Sequence, residues 1–306
     1  MTIPRRQRLL RGRFAKVDAI PFEMPIDSRD TNALMALFSI DGRAAEDLVA
    51  GEEVHAFHLL NGRGVLVITV VNYTNTDIGA YVEFSIAIAC THGFRRPPRM
   101  LPALLRKTFG TGQYVVDLPV STEVSVKGGK GIWGMPKHRA SLDFTIGDDQ
   151  VSSQYDLDDE LAMRIEIDRP RGISLPLNIG AVNYCSFRGL LMKSSVYFKG
   201  TAQLRAARGM KDAARLYIGP HPRMDPLRDL DVDPDPIATA FLSHTYGVLD
   251  DHFEGWFETY GRPPAATPEG LESVVDLGES QTWLPPPTAP YREYLVGGSP
   301  PVRSRT

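Results

Sequence analysis

The sequence predicts an α+β fold that is built mainly from antiparallel sheets. Strand-like segments outnumber helical ones, and they do not alternate with helices in the regular order of a parallel, doubly wound sheet. The chain has 306 residues, of which 42% are hydrophobic and 23% are charged. This length and composition are enough for one large domain with a packed core, or for two small ones.

Turn chemistry and residue periodicity place the individual elements. Residues 74–77 are turn-like and separate two strong strand signals, which predicts a hairpin. The predicted strands are residues 22–40 (interrupted by a polar turn), 64–73, 81–90, 114–118, 140–168 (several short strands), 184–205 and 215–219. The predicted helices are residues 41–50, 99–109 and 236–260.

The segment 236–260 shows the strongest helix signals. Asp235 occupies a cap position and Pro236 the first helical position, where its missing N–H costs nothing. Apolar residues then recur at Ile237, Phe241, Tyr246, Leu249, Phe253 and Trp256. We expect three regions along the chain: a basic arm (1–14), a catalytic domain (15–260) and a proline-rich extension (261–306).

Composition and charge favour small-molecule chemistry. The net charge is −3, and the basic residues are scattered rather than clustered in a stripe, so we expect no nucleic-acid partner. No apolar run approaches the ~20 residues of a membrane-spanning helix, and none follows the arginine-rich arm. Cys90 and Cys185 stand in apolar, strand-like contexts without metal-ligand spacing, which predicts reduced, buried thiols and a cytoplasmic protein.

Several familiar motifs are incomplete. Residues 129–134 match GxGxxG, but Pro136 follows and no helix begins there, which argues against dinucleotide binding. The alternating aspartates of 229–235 lack the glycine and glutamate of a calcium loop. The histidine pairs His55/His58 and His244/His252 lack a third ligand. We therefore expect no metal and no cofactor.

Lysine is scarce, with 8 residues against 26 arginines, yet three lysines fall within residues 127–137. The run GKGIWGMPKH at 129–138 resembles the active-site segment of the acetoacetate decarboxylase family. By this resemblance Lys137 is the lysine that forms the Schiff base. Residues 72–83, NYTNTDIGAYVE, are similar to the family's strand–turn–strand segment, which makes Glu83 its active-site glutamate. Arg29 is the candidate for an arginine on the first long strand.

The resemblance runs from about residue 22 to residue 260 and implies more than these residues. It implies a closed or cone-like β barrel with flanking helices, a small oxo acid as substrate, no cofactor, and a homo-oligomer. Trp133, Met135 and His138 join Arg29 as expected substrate-binding residues. Two departures stand out: His138 replaces the family's second lysine, and apolar sequence near Ile68 replaces a second glutamate of some members.

A free lysine amine is protonated at neutral pH and cannot attack a carbonyl. Burial or a neighbouring cation must free it, an effect for which acetoacetate decarboxylase is itself a known example. Since a histidine, unlike a lysine, is not a permanent cation at neutral pH, the replacement at His138 means that desolvation by Trp133 and Met135 has to contribute more. We therefore expect acetoacetate to be a poor substrate and a larger oxo acid a better one.

Strand alternation places Glu83 on one face with Tyr81, Ser85, Ala87 and Ala89. These small neighbours indicate a cavity, although a solvent-exposed strand face would look the same. Three functions remain open: decarboxylation of a β-keto acid, an aldolase or dehydratase reaction through the same imine, and non-catalytic binding.

Overall fold

The computed structural model describes residues 4–170, 174–207, 213–249 and 252–262. They fall within the larger of two units, Met1–Glu272; the smaller unit, Ser273–Thr306, lies outside the described residues. The helices are α1 (Arg5–Leu10), α2 (Gly42–Asp47), α3 (Leu101–Leu104), α4 (Glu123–Trp133) and α5 (Asp225–Arg228), with a 3-10 turn at Pro222–Met224. The strands are β1 (Arg13–Val17), β2 (Ile20–Met24), β3 (Ile26–Ile40), β4 (Val54–Ala56), β5 (Gly64–Thr76), β6 (Tyr81–His92), β7 (Gly112–Val120), β8 (Lys137–Arg139), β9 (Ser141–Leu142), β10 (Thr145–Ile146), β11 (Gln150–Leu157), β12 (Glu160–Asp168), β13 (Leu175–Phe187), β14 (Leu190–Ala206), β15 (Ala214–Ile218), β16 (Pro236–Leu249) and β17 (Glu254–Phe257).

Seven strands close into a barrel, in the order β6-β5-β3-β16-β14-β13-β7, and the pairing of β6 with β7 completes the ring. All of these pairings are antiparallel except that of β7 with β13. Three short strands extend the ring at its margins: β4 pairs with β6, β8 with β7 and β17 with β14. The predicted mainly antiparallel α+β fold and the closed barrel with flanking helices are confirmed.

A five-stranded sheet, β10-β11-β12-β15 with β9 beside β11, packs against the outside of the barrel. Its buried Tyr155 lies with its ring centroid 6.0 Å from that of Phe84 on β6. Ile165 on β12 and Phe38 on β3 belong to the same core. Since side chains alternate across a strand, each barrel strand contributes one set of residues to this outer core and the other set to the barrel interior.

The segment 236–260 is not a helix, so the strongest helix prediction was wrong. Residues 236–249 form β16, which pairs with β3 on one side and β14 on the other. Both faces of β16 are buried: Phe241 packs in the outer core, and Leu242 faces the interior. A strand that is buried on both faces does not show the alternation of apolar and polar residues by which a strand is recognised. The register shift between Leu242 and Thr245 disturbs the alternation further.

The other predicted elements are present with altered bounds. Asp41 caps α2 by accepting hydrogen bonds from the Arg43 and Ala44 amides, as the start of the 41–50 helix predicts. The helix predicted at 99–109 shortens to α3. In the basic arm, Gln7 and Leu10 are buried, and Arg11 pairs with Asp27 at 3.0 Å. The extension 263–306 lies outside the described residues.

The predicted burial of the two cysteines is also visible. Cys90 on β6 and Cys185 on β13 are buried free thiols. Burial raises the pKa of both, and that of Cys185 to about 12, so neither is a ready nucleophile. No helix in the described part of the chain is long and apolar enough to cross a membrane.

Candidate active site

A cavity of about 130 Å³ lies inside the barrel. Every one of the seven barrel strands contributes to its wall, which places it within the ring rather than between the two sheets. One contribution from each strand is Ala33, Thr69, Glu83, Gln113, Asn183, Ser194 and Leu242. A cavity of this size admits a small organic molecule or several water molecules.

Lys137 enters this cavity from β8, which runs parallel to the end of β7 with Lys137 opposite Leu118. The residue is 4% exposed. Its Nζ lies 2.6 Å from Glu83 Oε2 and donates to Ser125 Oγ at 3.2 Å. Glu83 reaches this point because β6 is paired with both β5 and β7, opposite Val71 and Val120. The structure therefore brings together the lysine and the glutamate that the sequence singled out.

The glycines before Lys137 have a packing function. They lie inside α4, not at the strand-to-helix turn that a dinucleotide site needs. A Cβ on Gly129 would stand 2.2 Å from Lys137 Cδ, so the helix backbone approaches the lysine stem at a distance that only glycine permits. Gly134 ends the helix with φ of 64° and turns the chain toward β8.

Two stacked tyrosines form the wall beside the amine. The ring centroids of Tyr73 and Tyr81 are 4.5 Å apart, and Lys137 Nζ lies 5.5 Å from the Tyr81 centroid. The Tyr81 hydroxyl is hydrogen-bonded to both Ser125 and Tyr73. Burial, and then the charge of Glu83, raises the pKa of both phenols well above the usual value. They therefore stay neutral and act as hydrogen-bonding groups, not as bases.

Trp133 and Met135 line the cavity and are buried, so they can desolvate the Lys137 amine as expected from the sequence.

His138 lies outside the cavity. As the next residue along β8 it points away from the cavity, and its Nε2 lies 2.9 Å from Asp117 Oδ1. The Tyr155 hydroxyl donates to Asp117 Oδ2 at 3.2 Å, and Arg223 Nη2 lies 2.8 Å from Oδ1.

Asp117 is the centre of this second polar cluster and is 3% exposed. Burial acts to raise the pKa of Asp117, but hydrogen bonds and charge from His138 and Arg223 outweigh it and hold the pKa below its usual value. The cluster ties β7 and β8 to the outer sheet directly behind the lysine.

Arg29 also lies outside the cavity wall. It lies on β3 with a half-exposed side chain, and its guanidinium pairs with Asp77 and donates to Asn75 Oδ1 at 3.4 Å.

The described residues contain no cluster of histidine, cysteine or carboxylate side chains that could hold a metal.

The sequence also matches a known protein family. A sequence profile of acetoacetate decarboxylase matches residues 14–171, more than half of the 306-residue chain. The chain belongs to the acetoacetate decarboxylase family. No curated protein matches it in sequence.

Solved structures, an acetoacetate decarboxylase among them, share its fold. Acetoacetate decarboxylase from Legionella pneumophila is 12% identical, with a TM-score of 0.53 over 76% of this chain and 87% of that one. The enduracididine biosynthesis enzyme MppR complexed with pyruvate is 13% identical, with a TM-score of 0.54 over 76% and 91%. MppR complexed with the condensation product of pyruvate and imidazole 4-carboxaldehyde is also 13% identical, with a TM-score of 0.52 over 76% of this chain and 90% of that one. Identities this low establish the fold alone.

Several polar residues of this family member escaped sequence reasoning. Ser125 lies twelve residues before the lysine on α4, and no pattern marks it. Thr69 was detectable, because strand alternation from Tyr73 and Val71 places it on the cavity face and turns Ile68 away. The Thr69 Oγ1 atom is buried without a hydrogen-bond partner among the described residues, where a ligand can satisfy it.

Proposed function

We propose that this protein is a Schiff-base-forming lyase that decarboxylates a small β-keto acid. The observation that carries the proposal is the buried Lys137 amine, which faces an internal cavity 2.6 Å from the Glu83 carboxylate. Burial of one amine beside one carboxylate, with a cavity next to them, supplies a nucleophile, a proton acceptor and a place for substrate.

The reaction begins with a free amine. A proton passes from Lys137 Nζ to Glu83 across their short contact, which replaces two buried charges by two neutral groups. The amine attacks the keto carbon, and the hydroxyl of the adduct takes the proton from Glu83 and leaves as water while the iminium forms. The bond to the carboxylate carbon then breaks, its electrons flow to the iminium nitrogen, and carbon dioxide departs.

The product at this point is an enamine, whose carbon takes up a proton that enters from solvent, and Glu83 lies where it can relay that proton. Water then hydrolyses the iminium to release the ketone and the lysine. The protonated imine is itself the electron sink, so this chemistry needs neither metal nor cofactor. Ser125 and the Tyr81 ring hold Nζ in place between attack and release.

The cavity wall favours loss of a substrate carboxylate over its retention. Within the described residues, Lys137 is the one cation that lines the cavity, and Glu83 already places a negative charge beside it. A carboxylate that enters this apolar space without a second cation is poorly solvated. An aldolase or dehydratase reaction on an oxo acid keeps that carboxylate to the end, whereas decarboxylation removes it as a neutral molecule.

Borohydride trapping tests the proposal. The protein is incubated with acetoacetate and with larger β-keto acids, reduced, digested and analysed by mass spectrometry, while carbon dioxide is measured separately. We expect the modification on Lys137 in the wild type and in Lys130→Arg, whose exposed side chain lies on the same segment. Lys137→Arg should abolish both trapping and carbon dioxide release.

Each alternative has its own result. Trapping at Lys137 without carbon dioxide, but with aldol or dehydration products, would favour the aldolase or dehydratase reaction. Binding of oxo acids without any trapping would leave a non-catalytic binding protein. Modification of Lys130 with Lys137 intact would contradict the assignment of the nucleophile.

A further inference from the structure

A neutral polar subsite lies in the same cavity, away from the amine. It consists of Gln113, Asn183 and Ser194, which stand side by side on β7, β13 and β14. Gln113 Nε2 donates to Asn183 Oδ1 at 2.8 Å. This single bond leaves Gln113 Oε1 as an acceptor and Asn183 Nδ2 as a donor, with no other partner in the described part of the chain.

The two polar regions are separated by an apolar wall. Lys137 lies opposite Leu118 on β7, and Gln113 is five residues earlier on that strand. At ~3.3 Å per residue the two levels are roughly 16 Å apart along the strand. On β7, Leu118 and Val115 line the cavity from the level of the lysine toward the subsite. Ala181 and its partner Val196 line it beyond Asn183, since β13 runs parallel to β7. The cavity is therefore reactive at the level of Leu118 and neutral but polar at the level of Gln113, with apolar side chains between and beyond the two.

The chemistry of the subsite defines what it can hold. A donor and an acceptor presented together match a group that also donates and accepts, such as a carboxamide or a hydroxyl. No charged residue among the described ones lines this end of the cavity, so a carboxylate or an ammonium would enter without a counter-charge.

The geometry points to a substrate whose remote end is a neutral hydrogen-bonding group, joined to the reacting carbonyl by an apolar chain. This inference rests on the proposed function, because it assumes that the carbonyl reacts at Lys137. It makes Gln113 and Asn183 specificity-determining residues, since a site built to hydrogen-bond a substrate group discriminates strongly against analogues that lack it.

Matched ketones test the inference. 7-Oxooctanamide, 2-octanone and 7-oxooctanoate share one carbon chain and differ in a neutral polar, an apolar and a charged end. The concentration that half-saturates borohydride trapping is measured for each, with acetone as a ketone too short to reach the subsite. We expect the amide to half-saturate at a concentration at least about tenfold lower than either of the others, the effect of one or two hydrogen bonds.

Three variants complete the design. Gln113→Leu removes the Oε1 acceptor, and Asn183→Asp keeps the bond from Gln113 while it removes the Nδ2 donor; each should lower the preference for the amide over 2-octanone by the several-fold effect of one hydrogen bond. Asn183→Asp also covers the case in which Gln113→Leu fails to fold. Gln154→Leu, a matched change on β11 of the outer sheet, should leave the preference intact.

The failure of this inference and that of the proposed function give different results. Normal trapping of acetone at Lys137 without a preference for the amide would overturn the subsite and leave the lysine chemistry standing. If no ketone is trapped, calorimetric titration of 7-oxooctanamide into wild type and Asn183→Asp decides the subsite by itself. At least about tenfold weaker binding by the variant would support it, and equal binding would overturn it.

Discussion

Gly129→Ala tests whether position 129 of α4 has to be glycine because the lysine stem packs against it. The added Cβ would stand 2.2 Å from Lys137 Cδ and 2.7 Å from Cε, where ordinary contacts begin at 3.4 Å. The lysine stem therefore has to move by about 1 Å. Such a shift can lengthen the 2.6 Å contact with Glu83 beyond hydrogen-bond range.

The change should affect activity far more than stability. Alanine gains about 1 kcal/mol over glycine in a helix interior, while overpacking costs about 1–3 kcal/mol. Because the obstructing group is the flexible end of a side chain, we expect the free energy of unfolding to change by no more than about 1 kcal/mol. A misplacement of this size at a reacting group can slow turnover by about 10²-fold.

The assay compares borohydride trapping, turnover and urea unfolding in wild type, Gly129→Ala and Gly128→Ala. Gly128 is the matched control, since it is the preceding residue of the same helix and its added Cβ would meet the Phe22 ring at 3.0 Å instead of the lysine. Wild-type trapping by a folded Gly129→Ala protein would refute the reasoning. So would an equal loss in Gly128→Ala.

Three further substitutions test other side chains. Glu83→Gln can still accept a hydrogen bond from Lys137 but cannot exchange a proton, so turnover should fall by about two to four powers of ten in a folded protein; unchanged turnover would remove Glu83 from the mechanism. Asp117→Asn removes the buried carboxylate that Arg223 and His138 contact and should lower the free energy of unfolding by about 1–3 kcal/mol near neutral pH, measured by urea unfolding. Since the pKa of Asp117 is held below 3.8, its contribution is complete above that pH and is lost as the pH falls through the lowered value. The deficit of the variant should therefore shrink in acid, and a deficit independent of pH would contradict this. His138→Lys places its ammonium beside Asp117, outside the cavity, so acetoacetate turnover should stay within about threefold; a gain of about tenfold would place residue 138 at the reacting amine.

The polar residues found in the cavity change the reason for expecting a larger substrate. From the sequence, the expectation rested on the charge of His138, which lies on the far face of β8 beside Asp117. From the structure, it rests on the length of the cavity and on the neutral polar subsite away from the amine. The trapping series with matched ketones distinguishes these two reasons, because they predict different effects of His138→Lys and Asn183→Asp.

Local signals in the sequence were enough to make Lys137 and Glu83 candidates and to predict most strands. Residues 64–73 and 81–90 alternate cleanly around a polar turn, and they form the hairpin of β5 and β6. The Pro-Lys and Tyr-x-Glu segments made Lys137 and Glu83 candidates through their resemblance to a known family, which could be recognised because both motifs consist of neighbouring residues in the chain. Strand alternation then placed Tyr81 on the same face as Glu83.

Tertiary structure decided what depends on distant residues. β16 shows helical signals at Asp235 and Pro236, but pairing with β3 and β14 satisfies its backbone, and burial of both faces removes the alternation that marks a strand. Ser125 meets Lys137 only because α4 folds back over β8. Gln113 and Asn183 are seventy residues apart and become neighbours where β7 and β13 pair. Periodicity reports which face a residue occupies, whereas closure of the barrel determines which residues share its interior.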